Sequence, residues 1–294
     1  MKKLLLIINP IAGQQKAEKK LPELLAVFRE AGYETELLLT EAKGDAFRRV
    51  QEAADVDRIV CAGGDGTLQE VVGGLLESGL SIPLGYIPCG STNDFGTSLG
   101  LPADILSAAH IACEADVVPI DIGRFGDRVF SYVASFGAFT PASYSAPQKL
   151  KNRIGHAAYV LQGARELRTL HPYRLRLECS EGIYEGEYLM GAVSNSTSVA
   201  GILTLDKSKV SLNDGLFEVL LVPYTRNPFR FVRTVSDLLH QRYDQKHVVF
   251  FSTEAVRIMA DPSMPWSLDG EKQEGSSEVR ACVMPAAIRL ALPC

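Results

Sequence analysis

Five residues, Gly63-Gly64-Asp65-Gly66-Thr67, stand between an apolar run, Ile59-Val60-Cys61-Ala62, and a helical pattern from Leu68 to Leu76. A chain that leaves a buried strand through glycines and resumes as a helix has few folds open to it, and the turn it makes suits an anion. Glycine bends without a Cβ penalty and lets backbone N–H groups come close, while the helix N-terminus adds a favourable dipole. Asp65 complicates this picture. A carboxylate repels a polyphosphate unless a divalent cation lies between them, and Mg²⁺ takes carboxylate and phosphate oxygens together. The loop therefore points to a magnesium nucleotide more than to a free anion. The alternative is an ordinary tight βα turn in which Asp65 or Thr67 caps the helix and Glu70 completes the capping arrangement. Better-known patterns do not fit: there is no G-x-x-x-x-G-K-[ST], the stretch Gly64 to Gln69 lacks the last glycine of the dinucleotide fingerprint, and Asp94-Phe95-Gly96 has neither H-R-D nor V-A-I-K beside it.

Up to Val117 the chain alternates between strand and helix patterns. Lys3 to Ile8 reads as a strand, Ala17 to Ala31 as a helix with Leu21, Leu24, Leu25 and Phe28 on one face, Glu34 to Leu39 as a strand and Asp45 to Ala54 as a helix. Ile59 to Ala62, the helix after Thr67, the strand Leu84 to Ile87 and a helix near Ile105 to Cys113 continue the series. Such alternation implies a parallel sheet covered by helices, with ligands beyond the carboxyl ends of its strands, where the glycine turns fall. After Val117 come short runs rich in β-branched and aromatic residues: Arg128 to Val133, Tyr173 to Cys179, Tyr184 to Val193, Leu216 to Val222, Val248 to Phe251, Ala255 to Met259 and Val279 to Met284. They read as an antiparallel sandwich or barrel, interrupted by helices around Ile154 to Leu170 and Phe229 to Leu239. The expected class is α/β: an N-terminal parallel-sheet nucleotide domain over residues 1–123 and a C-terminal antiparallel β-sandwich domain over residues 124–294, its last strand free to return to the first domain.

At 294 residues the chain can bury a sizeable core, and its formal net charge of −5 argues against nucleic acid as a partner. Its six cysteines lie far apart with no C-x-x-C, so they read as buried small apolar residues in a reducing compartment. The apolar start, Leu4 to Ile8, is too short for a signal peptide, and no window approaches the roughly 20 apolar residues of a membrane span. A cytoplasmic protein is the expectation.

Two further turns join the first. Asn9-Pro10-Ile11-Ala12-Gly13 closes the first strand, and Pro88-Cys89-Gly90-Ser91-Thr92-Asn93-Asp94 closes the strand from Leu84, so three loops should converge at one sheet edge. Later in the chain, Asn213-Asp214-Gly215-Leu216 and Asp269-Gly270-Glu271 are acidic and adjoin glycine. Each can be a hairpin turn, for which Asp-Gly is a strong signal. A carboxylate at both ends of a tight turn facing a phosphate site also resembles a general-base arrangement.

Taken in order, these five motifs resemble the diacylglycerol kinase catalytic-domain family, in particular the single-chain bacterial lipid kinases related to sphingosine and ceramide kinases. The resemblance runs from Asn9 to Glu271. It implies a two-domain enzyme with its active site in the cleft between the domains, which transfers the γ-phosphate of ATP to a hydroxyl of a lipid such as diacylglycerol or phosphatidylglycerol. By position, Asn9, Pro10, Ile11, Ala12, Gly13, Thr40, Gly63, Gly64, Asp65, Gly66, Thr67, Leu68, Gln69 and Ser91 would contact ATP. The Ser211 and Leu216 carbonyls and the Asp214 carboxylate would form a structural Mg²⁺ site, Asp65 would serve the nucleotide's metal, and Asp269 with Glu271 would supply the base. Two departures, Gly73 in place of an asparagine and the absence of a glycine cluster in Asn195 to Leu205, bear on the acceptor. Phe130, Tyr132, Val133, Phe136 and Phe139 could line an apolar groove for it, or be plain core.

An NAD kinase-like small-molecule kinase is the first alternative, since NAD kinases share a Gly-Gly-Asp-Gly-Thr loop; a non-catalytic nucleotide or lipid binder is the second. A lipid kinase must also reach a membrane without spanning it, so a peripheral position at the inner face is expected; a homodimer is left open. The segment Gln148 to Arg174 carries six basic residues, Lys149, Lys151, Arg153, Arg165, Arg168 and Arg174, against the single acid Glu166, which gives +5 in a chain of −5. Ile154, Ala157, Ala158, Leu161, Ala164 and Leu167 recur there at helical spacing, so the segment reads as a basic amphipathic helix, either docking on anionic lipid or packing with a solvated basic face.

Overall fold

The computed structural model describes residues 1–91, 93–137, 171–199, 203–205, 210–243 and 246–293. Phe139 and the basic segment from Lys149 to Arg168 lie outside the described residues, as does Cys294. By its internal contacts the chain divides into two units. The first comprises Met1–Ile122, Leu212–Asp214 and Met284–Cys294, and the second Gly123–Ser211 and Gly215–Val283.

The first unit is built on β1 (Lys2–Ile8), β2 (Tyr33–Leu39), β3 (Arg58–Gly63) and β4 (Leu84–Pro88), all parallel in the order β2-β1-β3-β4. Helices α1 (Lys16–Lys19), α2 (Leu21–Glu30), α3 (Asp45–Gln51), α4 (Asp65–Ser78), α5 (Asp94–Ser98) and α6 (Ile105–Glu114) fall between or after the strands. The expected single helix from Ala17 to Ala31 is two, because the backbone leaves helical geometry at Lys20 (φ −103°, ψ 15°) just ahead of Pro22, which restarts the helix at its tolerated first turn. Leu4, Leu6, Ile8, Leu24, Phe28, Val60, Ala62, Ile87 and Ala108 share one apolar core. Beneath it Gly85 allows α6 to press on the sheet, for a Cβ there would lie 2.6 Å from that of Ala112. Gly74 serves α3 in the same way, since its Cβ would meet the Phe47 carbonyl oxygen at 2.7 Å, and Gly73 faces the Phe47 ring beside it. The unusual glycine at position 73 thus sits at a helix–helix contact.

The second unit is antiparallel. Its strands are β5 (Val117–Phe125, from Gly123 onward), β6 (Arg128–Phe130), β7 (Val133–Gly137), β8 (Tyr173–Cys179), β9 (Gly182–Ser194), the short pair β10 (Ser198–Val199) and β11 (Leu203–Thr204), and β12 (Phe217–Pro223). Helix α7 (Pro228–Leu239) precedes β13 (Val249–Thr253), β14 (Ala255–Ala260), β15 (Trp266–Leu268), β16 (Glu271–Gln273) and β17 (Glu278–Ala291). The last strand changes unit after Val283, and its Leu290 lies parallel to Leu84 of β4 in the first. The long strand β9 organises the second unit by pairing with β7, β8 and β12. Phe130 stacks on Phe217 at 5.4 Å between ring centres, and Phe136 meets the edge of Trp266 at 5.1 Å. These rings are core and do not line a groove: Phe130, Tyr132, Val133 and Phe136 are all buried. Of the two possibilities for the aromatic run, the described residues take the packing one.

Candidate active site

The registers bring four strand ends level. Ile8 pairs with Leu39 and with Ala62, and Gly63 pairs with Pro88, so Asn9, Thr40, Gly64 and Cys89 leave the sheet on the same edge. Each ladder runs one hydrogen bond further: Thr40 N donates to Ile8 O at 2.9 Å, Asn9 N to Ala62 O at 3.0 Å and Cys89 N to Gly63 O at 2.8 Å. The side chains then tie loop to loop. Asn9 Nδ2 donates to Thr67 Oγ1 at 3.1 Å, while its Oδ1 accepts the Ile11 amide at 3.1 Å.

Glycine is required where these loops touch. Gly13 is in the left-handed region (φ +51°), and a Cβ on it would stand 1.8 Å from the Cys89 carbonyl oxygen. A Cβ on Gly90 would stand 2.6 Å from Gly64 Cα. Loops one and three, and loops two and three, are therefore in backbone contact, which is the convergence the motifs call for. Asn93, itself left-handed at φ 53°, closes the third loop by accepting the Gly90 amide at 2.7 Å and donating to the Gly90 carbonyl at 3.0 Å. A fourth loop is pinned alongside, where Glu70 accepts the Gly44 amide at 2.8 Å and Asp45 accepts the amides of Glu41 and Ala42. Thr40, Ser91 and Gln69 lie on these segments, Ser91 and Ile11 exposed and the other two part-buried.

The capping alternative for Asp65 fails. Helix α4 is capped by Gly64, with no side chain bonded to its first amides, and Glu70 has turned to Gly44 instead. The Asp65 carboxylate is thus not spent on its own helix. Its Oδ2 accepts the Asp94 amide at 3.1 Å, whereas its Oδ1 is buried with no hydrogen-bond partner among the described residues. Burial pushes the Asp65 carboxyl above the usual carboxylate range; the amides of Asp94 and Phe95 and the Tyr86 hydroxyl pull the other way. A buried carboxylate oxygen without a donor carries a desolvation cost that a cation would offset. Mg²⁺ fits this donor set, because it is commonly held by one or two carboxylates together with substrate phosphates and water. Among the described residues, no group of three or more His, Cys, Asp or Glu could hold a metal. Burial also pushes the Cys89 thiol up to about 11, so the sulfur on the cradle wall is neutral, and the Lys16 ammonium lies near enough to act on it. Tyr86 and Lys16 were not singled out in the sequence; Asn93 was quoted within its motif, and Glu70 was weighed there as a capping partner, whereas it accepts the Gly44 amide.

In the second unit, Asp269 and Gly270 form the two-residue turn of the β15–β16 hairpin, with Leu268 paired to Glu271. Both turn residues have positive φ, 50° and 87°, the conformation that Asp-Gly favours in tight hairpins. The Asp269 side chain is buried and turned inward: Oδ2 accepts the Ser131 amide, and Oδ1 accepts those of Tyr132 and Val133, each at 3.0 Å. Glu271 is exposed at the start of β16. Ser211, Asp214 and Leu216 lie on the segment leading into β12, where Asp214 is exposed and Gly215 is left-handed at φ 77°.

The first unit is thus a parallel sheet whose glycine loops meet beside the Asp65 carboxylate, and the second is an antiparallel β unit. Residues 3–125 match the family described as the diacylglycerol kinase catalytic domain, and residues 134–292 match that described as the YegS C-terminal NAD kinase beta sandwich-like domain. The diacylglycerol kinase of Bacillus subtilis (strain 168) is 36% identical over 275 residues, covering 92% of this chain and 90% of its own. That of Staphylococcus aureus (strain MRSA252) is 33% identical over 274 residues, covering 92% and 86%. The fold matches the crystal structure of a diacylglycerol kinase from Bacillus anthracis str. Sterne with a TM-score of 0.78, 22% identity and coverage of 99% of this chain and 97% of that one. The chain belongs to the diacylglycerol kinase family and is a lipid kinase of that type. No helix among the described residues is long and apolar enough to cross a membrane.

Proposed function

We propose that the protein transfers the γ-phosphate of ATP to the hydroxyl of a membrane lipid, with diacylglycerol the first candidate and phosphatidylglycerol the second. One observation carries this: three glycine loops meet in backbone contact beside an acid, Asp65, that keeps a buried oxygen without a hydrogen-bond partner among the described residues. The names of the relatives favour diacylglycerol as acceptor.

Phosphoryl transfer asks for positioning and charge neutralisation more than for covalent chemistry. The backbone N–H groups of Asn9 to Gly13, Gly63 to Thr67 and Gly90 to Ser91 hold the phosphates, and Thr40, Leu68 and Gln69 complete the nucleotide contacts. Asp65 holds the nucleotide's Mg²⁺, which when bound offsets the charge that develops on the transferred group. Ser211, Asp214 and Leu216 hold a second, structural Mg²⁺. Glu271 takes the proton of the acceptor hydroxyl. Asp269 is the weaker base, because its lone pairs are already directed at three amides, and it acts as a positioning residue that fixes the turn from which Glu271 projects.

The test is transfer of label from γ-labelled ATP to a panel in mixed micelles: diacylglycerol, phosphatidylglycerol, a ceramide and, as a soluble arm, NAD. Mg²⁺-dependent labelling of diacylglycerol is expected. Labelling of NAD alone would replace the reading with the small-molecule kinase, and labelling of nothing, with ATP bound, would leave a non-catalytic binder.

A further inference from the structure

Helix α7 of the second unit has a face that core packing does not account for. Phe231, Thr234 and Leu238 are buried, which fixes the inward stripe. The opposite stripe, at helical spacing, is Phe229, Val232, Arg233, Ser236 and His240. Phe229 is 84% exposed and Val232 40% exposed, so two apolar side chains stand one turn apart in water at the N-terminal end of the helix. Asn227 holds them there, for its Oδ1 accepts the Phe229 amide at 2.9 Å and the Arg230 amide at 3.3 Å and so fixes where the helix begins.

The charge around this tip has one sign. Arg226 and Arg230 are exposed on either side of Phe229, and Arg233 follows it one turn on. Between Tyr224 and Tyr243 there are four arginines and one acid, Asp237, which gives +3 in a chain whose net charge is −5. Asp237, which is buried, lies 3.7 Å from Arg233 Nε and 3.4 Å from His247 Nδ1, so it offsets Arg233 and leaves the charge of Arg226 and Arg230 at the tip. A protruding aromatic ring collared by arginines on an amphipathic helix is the composition of an interfacial anchor, whose apolar tip enters the headgroup boundary while its cations meet anionic lipid.

We infer that the outward stripe of α7, from Arg226 to Arg233, is a docking surface for an anionic lipid bilayer. This rests on the proposed lipid-kinase reading for its occupant and adds the place on the chain where the bilayer is met. The charge complementarity selects an anionic surface over a neutral one, and the exposed ring selects a bilayer over a soluble anion.

The test is sedimentation of the full chain with large vesicles of phosphatidylcholine, with and without phosphatidylglycerol, in the absence of ATP. The wild type should pellet with the anionic vesicles only, and raised salt should weaken binding. Phe229→Ala should bind about tenfold more weakly, and Arg226→Glu with Arg230→Glu should lose binding by at least that factor. Both sets of residues are exposed, so melting temperatures should not change. A direct reporter is Phe229→Trp: the chain's one tryptophan, Trp266, is buried, so a blue shift on anionic vesicles would come from position 229. Failure of the wild type to pellet, variants that pellet like it, or unshifted emission on vesicles that do pellet would each overturn the inference. Activity is scored separately on a short-chain diacylglycerol below its micelle concentration. A chain that docks but phosphorylates nothing refutes the kinase reading alone, and one that phosphorylates the soluble lipid but does not dock refutes this inference alone.

Discussion

Asp65, part-buried, and Asp269, buried, are aspartates that adjoin glycine in a tight turn, and in the sequence they look interchangeable. Their surroundings in the structure are opposite. Asp65 begins a helix it does not cap, accepts the Asp94 amide, and keeps a buried oxygen without a partner among the described residues. Asp269 sits in a hairpin and directs both oxygens at the amides of Ser131, Tyr132 and Val133. A carboxylate whose acceptor capacity is filled by backbone stabilises the turn it belongs to; one whose capacity is left open stores a desolvation cost that a ligand can relieve. The difference separates a carboxylate filled by backbone donors from one with an oxygen still open, and composition around the two residues does not reveal it.

The two residues should therefore fail in different assays. Asp65→Asn removes the proposed metal anchor without changing shape, and loss of one pre-organised electrostatic group typically costs roughly a hundred- to a thousandfold in kcat. The comparison breaks if the variant keeps more than about a tenth of wild-type kcat at saturating Mg²⁺. Asp269→Asn replaces one acceptor oxygen with a donor facing an amide, so it should lower the unfolding free energy of the second unit by about 3 kcal/mol. Denaturant melts of both variants read this directly; equal stability for Asp269→Asn and the wild type would overturn it. Glu271→Gln should slow turnover by roughly a hundredfold with ATP affinity and stability unchanged. If it weakened ATP binding instead, Glu271 would belong to the nucleotide and not to the acceptor.

The first unit was the more legible. Its inner strands carry unbroken apolar runs, Leu4 to Ile8 in β1 and Ile59 to Ala62 in β3, and its helices carry one apolar face, so pattern and packing agree. The convergence of three loops followed from strand order alone, since parallel strands bring successive glycine turns to one edge. What was hidden depended on contacts distant in sequence: Glu70 with Gly44, and Asp65 with Asp94. Strand β5, which passes from the first unit into the second, was missed because Pro119, Asp121 and Gly123 interrupt its sequence, although Asp121 is buried and accepts the Ala286 amide at 2.7 Å. That same contact carries β17 past Pro285 and the left-handed Ala286 (φ 50°), where the pattern reads as an end. Strands β15 and β16 have three residues each, too few for a period to show. The Asp269 turn shows in the sequence as Asp-Gly-Glu, while its three hydrogen bonds reach residues more than 130 positions away and leave no local signal.

The smallest effect is also the one with the most particular sign, and it concerns the metal-free protein. Burial raises the Asp65 carboxyl above its ordinary value, so in the folded chain the protonated form is favoured relative to the unfolded chain. The folded state then binds more protons across the window that opens at the ordinary carboxylate range and closes at the raised folded value. Stability from this group is full below that window and is lost as pH rises through it. Asp65→Asn, which never ionises, should not share that loss. In the absence of Mg²⁺ the variant should gain on the wild type as pH rises from below the window to neutrality, and saturating Mg²⁺ should reverse the order at neutral pH by stabilising only the wild type. Melts at several pH values, with and without the ion, test both halves. A variant that lost ground as pH rose without Mg²⁺ would mean that Asp65, like Asp269, is satisfied by its surroundings and waits for no cation.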